Sequence, residues 1–210
     1  MICLIAAVSS GCSSQNTAVS DVVTPSPPPT ETFSPPIPTS TPAPQAGGLL
    51  NISIREPKTF NPLVNDDVTV DLMLGLVFEP LIVFDEQMKP EPNGRIISDI
   101  TVNTAVPTAQ ITIKANAVWA DGSPITATDI VYSLDTIKNA ENSLYKSCVN
   151  YIAGYSSSGN KTVTINFTET YASVLYKLNF PIIPANFSEE TPVGSGLYKI
   201  TEYTPRKGVR

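Results

Sequence analysis

The chain has 210 residues, a formal net charge of −6, no histidine and three cysteines. The acidic balance argues against a nucleic-acid binder, which needs a basic face to displace phosphate counterions, and against docking on an anionic membrane through a basic patch. The lack of histidine removes Ser-His-Asp and Cys-His catalytic arrangements and His-containing zinc sites, and cysteines as far apart as Cys3, Cys12 and Cys148 do not make a disulfide-stapled scaffold.

Met1 to Val8 is almost wholly apolar and leads into Ser9-Ser10-Gly11-Cys12. A short apolar run ending in small residues reads as a secretory h-region with its cleavage site. It falls short of the ~20 residues a bilayer-spanning helix needs. Small residues directly before a cysteine resemble the bacterial lipobox, which implies that residues 1–12 are a lipoprotein signal and that Cys12 becomes the new N-terminus carrying a diacylglyceryl thioether. Two acyl chains hold a protein on a membrane where one does not. Cys148 then reads as a small apolar filler.

From Ser13 to Gly48 the chain is rich in Pro, Thr and Ser, with Asp21 and Glu31 its only charges. Such a segment cannot bury enough surface to offset its ordering entropy, so residues 13–48 are expected to be a disordered, partly polyproline-II tether. At ~3.1 Å per residue it would reach up to ~110 Å.

Leu49 to Ile54 reads as a short strand with Ile52 and Ile54 on one face. Pro57 and Phe60-Asn61-Pro62 break it. Asp66 or Asp67 then caps a helix whose apolar positions include Val68, Leu72, Met73 and Leu76, stopped by Glu79-Pro80. Leu81 to Phe84 is a second strand. Gln110 to Ala115 alternates cleanly, with Ile111 and Ile113 on the buried face. Asp121-Gly122 is a turn, and Thr126 to Asp129 opens a helix as a capping box with Asp in place of Glu or Gln; that helix buries Ile130, Val131, Leu134 and Ile137. Lys161 to Thr168 alternates through Val163, Ile165 and Phe167. A short helix with Tyr171, Val174, Leu175 and Leu178 follows, ended by Pro181 and Pro184, and Gly194-Ser195-Gly196 leads into a last strand, Leu197 to Ile200. Interspersed strands and helices without a regular βαβ beat give an α+β (mixed α/β) fold.

Several stretches, in order, resemble the extracellular solute-binding proteins of family 5, the oligopeptide-, dipeptide- and nickel-binding group. They are Thr59-Phe-Asn-Pro-Leu63, Val77-Phe-Glu-Pro-Leu81, the long run Val118 to Ser133 containing Trp119, Asp121, Gly122, Thr126 and Asp129, then Thr162 to Phe167 and Pro192 to Tyr198. The resemblance implies a partial lobe of the type II periplasmic-binding-protein kind plus the family's extra domain. Residues 49–78 and 193–210 would belong to the first lobe and 79–192 to the extra domain, while the second lobe, with the acidic residue for a peptide's amino terminus, has no counterpart. The 210-residue chain alone is therefore expected to bind peptide weakly or not at all.

The resemblance further implies a non-enzymatic receptor outside the cytoplasmic membrane, held by its lipid and passing peptides or related solutes to the permease of an ABC importer. By position it puts Asn65, Asp66, Asp67 and Val68 on the cleft, offering strand-like main-chain contacts to a ligand. Asp66 and Asp67 read equally as helix caps. Gly194, Ser195 and Gly196 let backbone approach the cleft or form a simple turn; they lack the spacing and Lys of a phosphate loop. No cofactor and no metal cage is expected. The competing readings are a secreted hydrolase, disfavoured by the missing His and Gly-x-Ser-x-Gly elbow, an adhesive surface lipoprotein, and a non-functional fragment.

Overall fold

In the computed structural model of the chain, residues 51–103, 105–169 and 173–210 are described; the expected leader with Cys12, the expected tether up to Gly48, and Tyr171 lie outside them. In chain order the elements are helix α1 (Val68–Val77), strands β1 (Ile82–Phe84), β2 (Pro90–Pro92), β3 (Ile97–Asn103) and β4 (Thr108–Ile113), helices α2 (Ala127–Asn139) and α3 (Lys146–Val149), strands β5 (Ile152–Ser158) and β6 (Thr162–Phe167), a 3₁₀ turn at Val174–Leu178, and the strands β7 (Tyr203–Thr204) and β8 (Gly208–Val209). This is a mixed helix-and-sheet fold in which every strand pairing is antiparallel.

The largest sheet has the order β3-β4-β6-β5. Strand β4 sits inside it because its alternation gives one fully buried row, Ala109, Ile111 and Ile113, matched on β6 by Val163, Ile165 and Phe167. Helix α2 packs on β5 and β6 and adds Ile130, Leu134 and Ile137 to the same core, each such side chain contributing roughly 1.5–3 kcal/mol. Val131 is half-buried at the margin of this core.

The start of α2 is fixed by the expected reciprocal cap. Asp129 Oδ2 accepts from the amide of Thr126 at 2.7 Å and from its hydroxyl at 3.0 Å. The other oxygen of Asp129 accepts from the amide of Ala185 at 2.8 Å. One turn on, the fully buried Ser133 hydroxyl accepts from Ile183 N at 2.9 Å and lies 2.7 Å from Asp129 O. Two polar side chains thus tie residues 183–185 to the helix. Upstream, Trp119 is buried and leads the Asp121-Gly122 turn, where Gly122 has φ +87° and its amide donates to Trp119 O at 2.9 Å.

Two expected strands are absent. Residues 51–54 form no ladder, and Leu49 and Leu50 lie outside the described residues; alternation of Ile52 and Ile54 makes a strand only where a partner exists, and no described segment pairs with it. Leu197 to Ile200 forms no strand; Leu197 and Tyr198 are exposed, and the run's one main-chain hydrogen bond among the described residues runs from Tyr198 N to Leu76 O at the end of α1. Strands β2, β3 and β5 and the β7–β8 hairpin have no counterpart among the sequence expectations. Among the described residues no helix is long and apolar enough to cross a membrane.

Candidate functional site

Helix α1 organises the candidate residues. Its N-cap is Asp67, whose Oδ1 accepts from Thr69 N at 2.8 Å, Val70 N at 3.3 Å and the Thr69 hydroxyl at 2.6 Å. The Thr69 hydroxyl chiefly holds this carboxyl below its ordinary range, with Arg55 adding an ion pair at 3.3 Å. Asn65, 3% exposed, folds its amide group onto the same residue, accepting from Asp67 N at 3.2 Å and donating to Asp67 O at 2.8 Å. Asp66 points outward to Lys58 at 3.3 Å. The helix-capping reading therefore holds for Asp67 and not for Asp66.

The main chain of this turn is less well occupied than its side chains. Neither the N–H nor the C=O of Asn65 or Asp66 makes a hydrogen bond among the described residues. A buried residue such as Asn65 ordinarily has both groups paired.

The turn is anchored from below by contacts that no local pattern announces. Glu189 accepts from the Thr59 hydroxyl at 2.5 Å and from Phe60 N at 2.8 Å, so one carboxylate holds the Thr59 to Leu63 stretch from 130 residues away. Asp71, in the first turn of α1, accepts from the Tyr145 hydroxyl at 3.0 Å. Burial pushes the Asp71 carboxyl up against the opposing pull of that hydrogen bond, and it pushes the phenol of Tyr145 up as well.

Gly194, Ser195 and Gly196 lie at the other end of α1. Gly196 N donates to Val77 O at 2.7 Å, Tyr198 N to Leu76 O at 3.2 Å, and Glu79 N to the Ser195 hydroxyl at 3.2 Å. Gly194 O accepts from Ala120 N at 2.8 Å, which ties this stretch to the Trp119 turn. A Cβ on Gly194 would stand 2.0 Å from Val77 O, and one on Gly196 2.4 Å from Leu76 O. The close approach made by these glycines is thus to the last carbonyls of α1. The two candidate groups are not brought together; the ten-residue helix separates them by ~15 Å.

A separate cleft of about 280 Å³ opens beside Phe60 and Tyr203, whose rings meet edge to face at 5.0 Å. Carboxylates dominate its rim, with Asp121, Glu189, Glu190 and Glu202 against the single cation Lys199. Among the described residues no group of three or more metal-ligating side chains could hold an ion. Cys148 is buried, and burial pushes its thiol up, which suits a filler.

The model of the bacterial extracellular solute-binding proteins, family 5 middle, matches residues 91–210. Uncharacterized protein y4wM of Sinorhizobium fredii is 29% identical over 192 residues, covering 80% of this chain and 28% of that protein. The Probable peptide-binding protein YejA of Agrobacterium fabrum is 26% identical over 188 residues, covering 81% of this chain and 30% of that one. The chain thus spans less than a third of the length of these curated relatives. Among solved structures, the oligopeptide-binding protein AppA of Bacillus subtilis, in complex with a nonapeptide, superposes with a TM-score of 0.63 at 22% identity, covering 75% of this chain and 34% of that one; this likeness is one of fold.

Two outcomes follow from the geometry of α1. Gly194→Ala places a methyl group inside Val77 O, and urea denaturation should show a loss of at least about 2–3 kcal/mol; a loss under about 0.5 kcal/mol would mean the contact is not made. The two carboxylates of α1 should titrate in opposite senses. Asp71 has a raised folded-state pKa, so the wild type gains stability relative to Asp71→Asn as pH falls through that value toward 3.8. Asp67 has a lowered one, so its contribution is lost as pH falls below 3.8 through the depressed value. Melting curves of the two Asn variants against pH read both slopes, and slopes of one sign would contradict the assigned environments.

Proposed function

This chain belongs to the bacterial extracellular solute-binding proteins of family 5, and from that premise we propose that it captures peptides outside the cytoplasmic membrane for the permease of an ABC importer. The observation that carries the reading to particular atoms is the turn at Asn65 and Asp66, whose main-chain donors and acceptors have no partner among the described residues. An extended peptide satisfies such groups by strand-like pairing, which gives affinity without demanding one side chain. The names of YejA and AppA speak of peptide and oligopeptide binding, in keeping with that chemistry.

In this reading Asn65, Asp66, Asp67 and Val68 meet the ligand, and Asp67 holds the turn rigid through the helix cap. Gly194, Ser195 and Gly196 contribute from the far end of α1 by seating the helix that carries the turn. Residues 49–78 and 193–210 form part of one lobe and residues 79–192 the extra domain. Residues 13–48 are the tether, and a diacylglyceryl thioether on Cys12 holds the protein at the membrane. The chain acts by binding and not by turnover.

Two measurements test these parts separately. Titration of the ¹⁵N-labelled chain with a mixed oligopeptide library should shift the amides of Asn65 to Val68 first, even at millimolar peptide; shifts confined to other residues would remove the turn from the site. Growth of the producing cells with an alkyne fatty acid should label the protein, and Cys12→Ser should abolish the label. Undiminished labelling of that variant would place the lipid elsewhere.

A further inference from the structure

The four-stranded sheet buries one face and turns the other to water. Inward, Ile111 pairs with Val163 and Ala109 with Ile165. Outward, Thr108, Gln110 and Thr112 of β4 stand opposite Asn166, Thr164 and Thr162 of β6, because directly opposed residues of antiparallel strands share a face. The edge strands extend each row. Thr101 and Ser156 flank the Gln110–Thr164 pair, Asp99 and Ser158 the Thr112–Thr162 pair, and Asn103 and Gly154 the Thr108–Asn166 pair. Each of these twelve positions is exposed or half-buried. Helix α2 packs on the other face, where the Tyr155 hydroxyl donates to Asp135.

At the usual quarter to third of surface positions, a face of this size would carry about three or four charged side chains. Here Asp99, at one corner, is the only one. Lys114, the next outward position along β4, is turned to Gly94 O. Strand propensity accounts for the threonines but not for the two asparagines and the glycine. The side chains of Gln110, Thr112, Ser156, Thr162, Thr164 and Asn166 make no hydrogen bond with another described residue. Each can both donate and accept, and the array repeats at about 4.8 Å between strands and about 6.8 Å along them. Most of these side chains are short, and the β-branched threonines are stiff at χ1, so a ligand orders them at little entropic cost.

We propose that this face is a second binding site, for an uncharged polysaccharide chain. A face without cations does not hold nucleic acid or anionic lipid, and one corner carboxylate does not select a basic partner. With no aliphatic or aromatic residue on it, the face offers nothing to a hydrophobic partner. A neutral ligand dense in hydroxyls matches it, because such a chain gives and takes hydrogen bonds at regular intervals. Adjacent strands rotate by roughly 20–25°, so the face turns by roughly 60–75° from β3 to β5. That twist suits a single flexible chain and not the flat surface of a crystalline polymer. Without an aromatic platform each sugar is held by hydrogen bonds alone, so affinity grows with the number of sugars engaged. The inference stands apart from the peptide reading, since the face shares no residue with the turn at Asn65.

The test is affinity electrophoresis of the full chain through gels containing soluble β-glucan, dextran or amylose. At least one of these neutral chains should slow it at least twofold, whereas anionic polygalacturonate should not. Thr164→Val and Gln110→Ala remove hydrogen-bonding groups from the central row on residues that point to water. Each should weaken the retardation at least fivefold without lowering the melting temperature, and Lys138→Ala on α2 should leave it unchanged. An oligopeptide library added to the gel should not relieve the retardation, so this site and the turn at Asn65 stand or fall separately. Any of five results overturns the proposal: no retardation by the three neutral chains, retardation indifferent to Thr164→Val, equal retardation by polygalacturonate, relief by peptide, or self-association of the chain that Thr164→Val abolishes, which would make a second copy the occupant.

Discussion

The last two carbonyls of α1 and the backbone of residues 194–198 set the arrangement on which the candidate site depends. A helix C-terminus leaves carbonyls without intrahelical partners, and here Leu76 and Val77 find theirs in the amides of Tyr198 and Gly196. That pairing is possible only because Gly194 and Gly196 carry no side chain where the helix end comes down. The same stretch receives Ala120 N on Gly194 O and offers the Ser195 hydroxyl to Glu79 N. Three segments distant in sequence therefore meet at one helix end, and the direction of α1, with the turn at its opposite end, follows from that meeting.

At that opposite end charge and burial divide the work between two aspartates four residues apart. Asp67 faces the exposed first turn, where three donors and the positive helix end favour its ionised form. Asp71 faces inward, where removal from water outweighs the single hydroxyl donor of Tyr145. The first stabilises the turn and the second holds α1 against the residues before α3 at a cost in desolvation. The turn is thus held by its side chains, while the main-chain groups of Asn65 and Asp66 make no hydrogen bond among the described residues.

The parts of the fold legible in the sequence are those whose cause is local. The cap at Thr126 and Asp129, the Asp121-Gly122 turn, and the alternation of β4 and β6 each arise from residues within a few positions of one another. Strand β3 is harder to see because a register shift between Ile97 and Asp99 breaks its alternation. Strand β5, with Gly154 and three serines, has almost no apolar pattern and is a strand because β6 offers it a ladder. At the candidate site the cap was legible, whereas the Glu189 anchor under Phe60 and the Tyr145 hydroxyl on Asp71 join residues 129 and 74 positions apart and leave no local signature. The glycines at 194 and 196 were legible as a place of close approach, but the object approached was not.

The outer face of α1 marks where the physical argument goes beyond sequence pattern. Val68, Leu72 and Gly75 follow one helical stripe and Val70, Leu74 and Val77 another, and periodicity alone cannot say which of two apolar stripes is buried. The structure buries the second and leaves the first in water. Exposed valine and leucine taken singly are ordinary on a protein surface. Gly75, on the same stripe, has nothing within 4 Å of its Cβ position, so the stripe that stays in water is the one with no neighbour to pack on, while the buried stripe is the one that joins the core.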